Sequence, residues 1–282
     1  MSIDSRVRRA SYVIRQRFRY AYPGPVRHLH HRLVVAPPPL YGDQRRVRHD
    51  LTVAPALGVA WDEDIYGNSI ATVEAAYVDD AVEFAYEATI ERIAGELPRV
   101  PARWLDDWRY RGPSTLTVPS RAMRDAAAAL RRPGDEPYAL AERINAFVSR
   151  RMRYSSGVTS VLTTAGEAYA QAAGVCQDYA HVMVSLARAC GLAARYVSGH
   201  LIGEGGTHAW VEVLAPAAEP GAAVVWAFDP THHRRTNLDY VFVAAGRDFA
   251  DVTPTSGRFV APYMGEFTTD RSVDLIDIEY AA

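Results

Sequence analysis

From Tyr12 to Tyr20 the chain alternates: Tyr12, Ile14, Gln16, Phe18 and Tyr20 fall on one side, Arg15, Arg17 and Arg19 on the other. A period of two is the pattern of a strand with one face in a core and the other in water. Further strand-like runs cover 29–36, 47–53, 69–77 and 82–93. Turn signals separate them at Pro23-Gly24-Pro25, Pro37-Pro38-Pro39 and Gly67-Asn68. Short strands with no helical pattern between them predict an antiparallel β-sandwich over residues 1–97.

After a connecting segment, 98–119, the texture becomes helical. Ser120 is placed to cap a helix running to about Arg132, and Asp135 with Pro137 opens a second, to about Arg153. Thr164-Ala165-Gly166-Glu167 matches a capping box and starts a third, ended by Gly174. A fourth runs from Cys176 to Cys190 and stops at Gly191, with Tyr179, Val182, Met183 and Leu186 as its apolar stripe. Strands at 194–201, 208–214 and 224–228 follow. The expected fold class is α+β: a core over 120–245 beside the β domain, with C-terminal strands, 246–282, completing the fold.

Composition removes several functions. Hydrophobic residues at 49% and charged residues at 23% fit a globular chain, and a net charge of −2 gives no bias toward nucleic acid or an anionic membrane. The chain has no lysine, so its Lys+Arg total of 31 is all arginine. That excludes a pyridoxal-phosphate Schiff base and a lysine-bearing phosphate loop. The arginine-rich N-terminus lacks the apolar run of a signal peptide, and no stretch approaches the ~18 apolar residues of a membrane span. The two cysteines, Cys176 and Cys190, lie on one helix roughly 21 Å apart, too far for a disulfide. A reducing, cytoplasmic location is expected.

Cys176 follows a glycine break at a helix start, where unpaired N–H groups and the helix dipole favour an anion. Thiolate is the reactive form of cysteine, and such a position favours it. His208 begins a strand after Gly203-Glu204-Gly205-Gly206-Thr207 and can serve as its base. Asp229 ends the next apolar strand before Pro230 and can orient the histidine. Spacing alone leaves this a suggestion, since most chains contain a cysteine, a histidine and an aspartate.

The local words are more specific. Gly174-Val175-Cys176-Gln177-Asp178-Tyr179-Ala180-His181, His208-Ala209-Trp210-Val211-Glu212 and Trp226-Ala227-Phe228-Asp229-Pro230-Thr231 resemble, in order, the transglutaminase-like superfamily. The likeness is greatest to its bacterial branch of candidate cysteine proteases. Gly246-Arg247-Asp248-Phe249-Ala250-Asp251-Val252 resembles that branch's segment after the triad, and Asp64-Ile65-Tyr66-Gly67-Asn68 its N-terminal β domain. The resemblance implies a papain-like core with Cys176 as nucleophile, His208 as base and Asp229 as orienter. His232 departs from it, standing where the branch usually has asparagine.

The backbone N–H of Cys176 is one oxyanion donor; Tyr154 and Gln177 are candidates for a second. Tyr154 reads equally well as an ordinary helix-end aromatic. Cys190 reads as a small buried hydrophobe, and His181, about 140° around the helix from Cys176, as structural. Trp210 and Trp226 suit packing beneath the site or the wall of a groove. His28, His30 and His31 suit a solvated face. Arg234 and Arg235 suit a solvent-exposed loop or a substrate carboxylate. His232 and His233 with Cys176 and His208 lack zinc-site spacing, so neither metal nor cofactor is expected.

The expected activity is hydrolysis of peptide or glutamine-type amides through a thioester, with a peptide or protein as substrate. The alternatives are acyl transfer to an amine, which shares the first half-reaction, and a non-catalytic binding module. Oligomeric state is not legible.

Overall fold

The computed structural model describes residues 6–95 and 97–280, so the first five residues of the arginine-rich N-terminus lie outside the described part. The first region carries β1 (Val7–Ala21), β2 (Val26–Ala36), β3 (Gln44–Ala54), β4 (Val59–Glu63), β5 (Ser69–Val78) and β6 (Ala81–Ile93). After a single helical turn at Trp108–Arg111, four longer helices follow: α1 (Arg121–Leu130), α2 (Pro137–Arg151), α3 (Ala165–Gln171) and α4 (Cys176–Ala189). The remaining strands are β7 (Ala193–Leu201), β8 (Thr207–Pro216), β9 (Ala222–Asp229), β10 (Tyr240–Gly246), β11 (Thr255–Val260) and β12 (Glu266–Tyr280).

Two antiparallel sheets, in the orders β12-β1-β6-β3 and β11-β2-β5-β4, face each other as a sandwich. The alternation in β1 explains its place there. Tyr12, Ile14 and Phe18 are wholly buried between the sheets, while Arg15 points outward to Glu87, 2.9 Å away. Burying a side chain such as Phe18 or Phe84 contributes roughly 1.5–3 kcal/mol. The last two strands belong here and not to the helical core: β11 pairs with β2 and β12 with β1.

The core sheet has the order β9-β8-β7-β10, and Arg99–Pro101, within the connecting segment, adds a short strand beside β9. Ala209, Val211 and Val213 of β8 pack on α4. Opposite them, β10 is an edge whose backbone the sandwich covers. Gln44 donates to the Phe242 carbonyl and accepts its N–H, both at 2.8 Å, and Asn68 does the same for Ala245 at 2.8 and 2.9 Å. Each amide acts as a one-residue strand, leaving the edge no free groups at those points.

Three expectations change. α3 has the expected capping box, Thr164 with Glu167, but ends at Ala172 in a left-handed turn (φ 55°), two residues before Gly174. α4 is buried all round from Gln177 to Arg188, not along one stripe. Its Arg188 is held internally, donating to the carbonyls of Tyr110, Ala194 and Arg247. His31 does not lie on a solvated face. It is 1% exposed, between the rings of Tyr20 and Phe84 at 4.6 and 5.0 Å, because it falls on the inward side of β2.

Candidate functional site

Cys176 is the first residue of α4, and the turn before it is fastened from inside the helix. The Asp178 carboxylate accepts from Val175 N at 2.8 Å and from the Thr159 hydroxyl at 2.7 Å. A Cβ on Gly174 would collide with that carboxylate, so only glycine fits there. Asp178 is thus a strut for the turn that leads into Cys176.

His208 and Asp229 come together because β8 and β9 run antiparallel, which sets the start of one beside the end of the other. His208 Nε2 donates to Asp229 Oδ2 at 2.8 Å. Oδ2 also accepts from Tyr240 Oη at 2.6 Å and from His232 Nδ1 at 2.8 Å. Oδ1 accepts the backbone N–H groups of Thr231 and His232. Burial alone would raise the Asp229 pKa; the bonds from His208, His232 and Tyr240 overcome it and hold this carboxyl well below the usual range.

The other ring nitrogen, His208 Nδ1, is buried and makes no directed hydrogen bond. Burial would lower the His208 pKa, but the hydrogen bond to Asp229 and the nearness of Cys176 and the Glu204 carboxylate raise it well above its ordinary value. The imidazolium is therefore the favoured form. Glu204 Oε2 is 3.0 Å from Nδ1 yet off the N–H line, so the contact is an ion pair and not a directed hydrogen bond. Glu204 Oε1 lies 2.9 Å from His232 Nε2.

His208, Asp229 and His232 bring ligand-type atoms within 4.8 Å of one another, which could suggest a metal. Hydrogen bonds also account for the arrangement, since Asp229 Oδ2 accepts from both imidazoles. The other expected neighbours divide. Tyr154 is 58% exposed and opposite Gly174, and burial, then Cys176 and Glu204, raise its phenol pKa. It therefore stands at the site. Gln177 Nε2 is turned to the Val161 carbonyl at 3.2 Å, toward the neighbouring loop. Trp210 is buried behind His208 against Tyr240. Trp226 packs on Tyr138, with the Arg235 guanidinium 4.6 Å from its ring centroid. Arg234 donates to Tyr240 Oη.

Cys190, at the far end of α4, is buried, and burial raises its thiol pKa to about 11. His181 accepts from Phe249 N at 3.1 Å, and burial lowers its pKa to about 4. Neither has the setting of a reacting group. The sequence reading does not reach Glu204 or Tyr240. The only signal for Glu204 is its place in the glycine loop before His208; Tyr240 has none, since it arrives from β10. A cavity of about 520 Å³ lies behind the site, between sandwich and core sheet, lined by Tyr41, Trp210, Leu238, Tyr240 and Phe242 among others.

Known sequences place this arrangement. Residues 124–226 match the transglutaminase-like superfamily, and residues 12–91 match the bacterial transglutaminase-like N-terminal region. The chain contains a transglutaminase-like core. An uncharacterized protein of Mycobacterium tuberculosis is 37% identical over 137 residues, 45% of this chain and 43% of its own length. One from Mycobacterium leprae is 34% identical over 133 residues, 44% of each. The matched region thus spans less than half the length of these curated relatives. The crystal structure of a candidate cysteine protease from Cytophaga hutchinsonii shares the fold: TM-score 0.75 at 21% identity, over 97% of this chain and 93% of that one. Among the described residues no helix is long and apolar enough to cross a membrane.

Proposed function

We propose that Cys176, His208 and Asp229 form the catalytic triad of an enzyme that hydrolyses amide bonds in a peptide or protein through a thioester. One observation carries this reading. His208 gives Nε2 to a buried, saturated carboxylate at 2.8 Å, and Cys176, at the head of α4, is near enough to the imidazole to help raise its pKa. The Cys176 thiolate attacks the acyl carbon, and the backbone N–H of Cys176, with Tyr154 or Gln177, holds the oxyanion. The C–N bond breaks as His208 protonates the leaving amine. Water then gives a proton to His208 and attacks the thioester; the C–S bond breaks and the thiolate returns.

Hydrolysis is favoured over acyl transfer because the bacterial branch it resembles is one of candidate proteases. A cytoplasmic location suits two free thiols. The test is alkylation with turnover. Iodoacetamide at neutral pH should modify Cys176 and stop amine release from a peptide library, and excess EDTA should leave the rate unchanged. Cys176→Ala should abolish turnover in a folded protein, while Cys190→Ala retains it. Mutants behaving the other way round, or zinc-dependent activity, would overturn the assignment.

A further inference from the structure

Glu204 has no role in the triad chemistry above, yet its carboxylate spans two imidazoles: Oε2 lies 3.0 Å from His208 Nδ1 and Oε1 2.9 Å from His232 Nε2. These histidines are its ion-pair partners among the described residues. Nδ1 is the atom that must hand a proton to the departing amine, so whatever lies beside it lies on the leaving-group side of Cys176. Glu204 is off the N–H line, so Nδ1 makes no directed hydrogen bond to it.

The carboxylate is built into place. Gly203, with φ +91°, takes a turn that L side chains rarely adopt, and Glu204 N bonds back to the Leu201 carbonyl. Beyond it, the Gly206 carbonyl is bonded to His200 Nδ1. The Glu204 side chain is 40% exposed, and the His232 side chain beside it 35%. His232 gives one ring proton to Asp229. Its other nitrogen lies 2.9 Å from a Glu204 carboxylate oxygen. The resident partner of Glu204 at the mouth is therefore an imidazole nitrogen on a side chain open enough to be displaced.

We propose that Glu204 sets the charge of the substrate: the site takes amides with a cationic group, an arginine or lysine side chain or a free ammonium, on the leaving-group side, and rejects acidic ones. The cation replaces His232 Nε2 on the carboxylate. An anion would meet the like charge of Glu204. This inference rests on the assignment of Cys176 and His208 above, and adds a residue outside the triad that chooses among substrates.

Three methanethiosulfonates of similar size, carrying trimethylammonium, methyl or sulfonate ends, test it on the whole chain by their rates of modifying Cys176. The readout is the ratio of cationic to anionic rate, each divided by its rate with glutathione. The wild-type ratio should exceed one, and Glu204→Gln should lower it about tenfold at low salt. His232→Asn, which removes the resident imidazole from the Glu204 carboxylate, should raise it. A ratio unmoved by Glu204→Gln, with Cys176 still modified, overturns the charge proposal and leaves the nucleophile standing. If no reagent modifies Cys176, or Cys176→Ala reacts as fast as wild type, the triad reading itself fails.

Discussion

The interior of the sandwich and the site on the core sheet each bury a histidine, and the two behave oppositely. His31 is 1% exposed between aromatic rings, with neither ring nitrogen partnered, and burial, then His30, lowers its pKa to about 4. The His208 side chain is also 1% exposed, but it is bonded to Asp229 and flanked by Glu204, and its pKa is raised. Equal burial therefore does not decide the charge of an imidazole; the acceptors around it do. The sandwich keeps a neutral histidine as a flat packing element, whereas the core surrounds one with carboxylates and makes it a proton carrier.

The most severe way to break that contrast is Asp229→Asn. It removes the charge and offers His208 a donor where it needs an acceptor. Turnover should fall by about 10⁴, with a smaller effect on substrate binding, and the His208 titration followed by NMR should move down. An unchanged rate would mean that another group orients the ring.

The sandwich side is sharpened by acid. His31 has a folded pKa below its unfolded value of about 6.5, so the unfolded chain takes up this proton first as pH falls. Nothing is lost above pH 6.5; stability declines through the window down to about 4. The full share of one such histidine is about 3 kcal/mol. His181 and His200, whose pKa values burial also lowers to about 4, add the same sign. His31→Phe should remove one share: urea unfolding at pH 7 and pH 4 should show the variant gaining about 3 kcal/mol on wild type across that interval. No differential gain would mean that His31 is solvated.

The smallest expected effect is that of Tyr240→Phe, which takes one of three donors from Asp229 Oδ2 and leaves the other two. Turnover should drop by about tenfold with the fold intact, and the His208 titration should move far less than in Asp229→Asn. A loss as large as that of Asp229→Asn would make Tyr240 as essential as the carboxylate.

How much of this was legible depended on how local the cause is. The strand period around Tyr12–Tyr20, the capping box at Thr164 and the glycine break before Cys176 are each written within a few residues, and each predicts its element. His208 and Asp229 were legible because each sits at an end of an apolar run. Tyr240 reaches Asp229 from the opposite edge of the sheet, which no spacing reveals. His31 was misread because its arginine-rich neighbours point the other way from the same strand. The Glu204 ion pairs depend on the path of a glycine loop, and side-chain identity does not fix that path.

Val7 of β1 pairs with Tyr280 of β12, so the two strands are neighbours in space but nearly the whole chain apart in synthesis. At roughly 5–20 residues per second, β1 waits on the order of 15–50 s on the ribosome before its second neighbour exists. Through that interval one side of β1 is an open edge, and the core sheet is made inside the gap. A chain cut after residue 252 would keep every triad residue and leave that edge, and the outer edge of β2, permanently unpaired, inviting pairing with another chain.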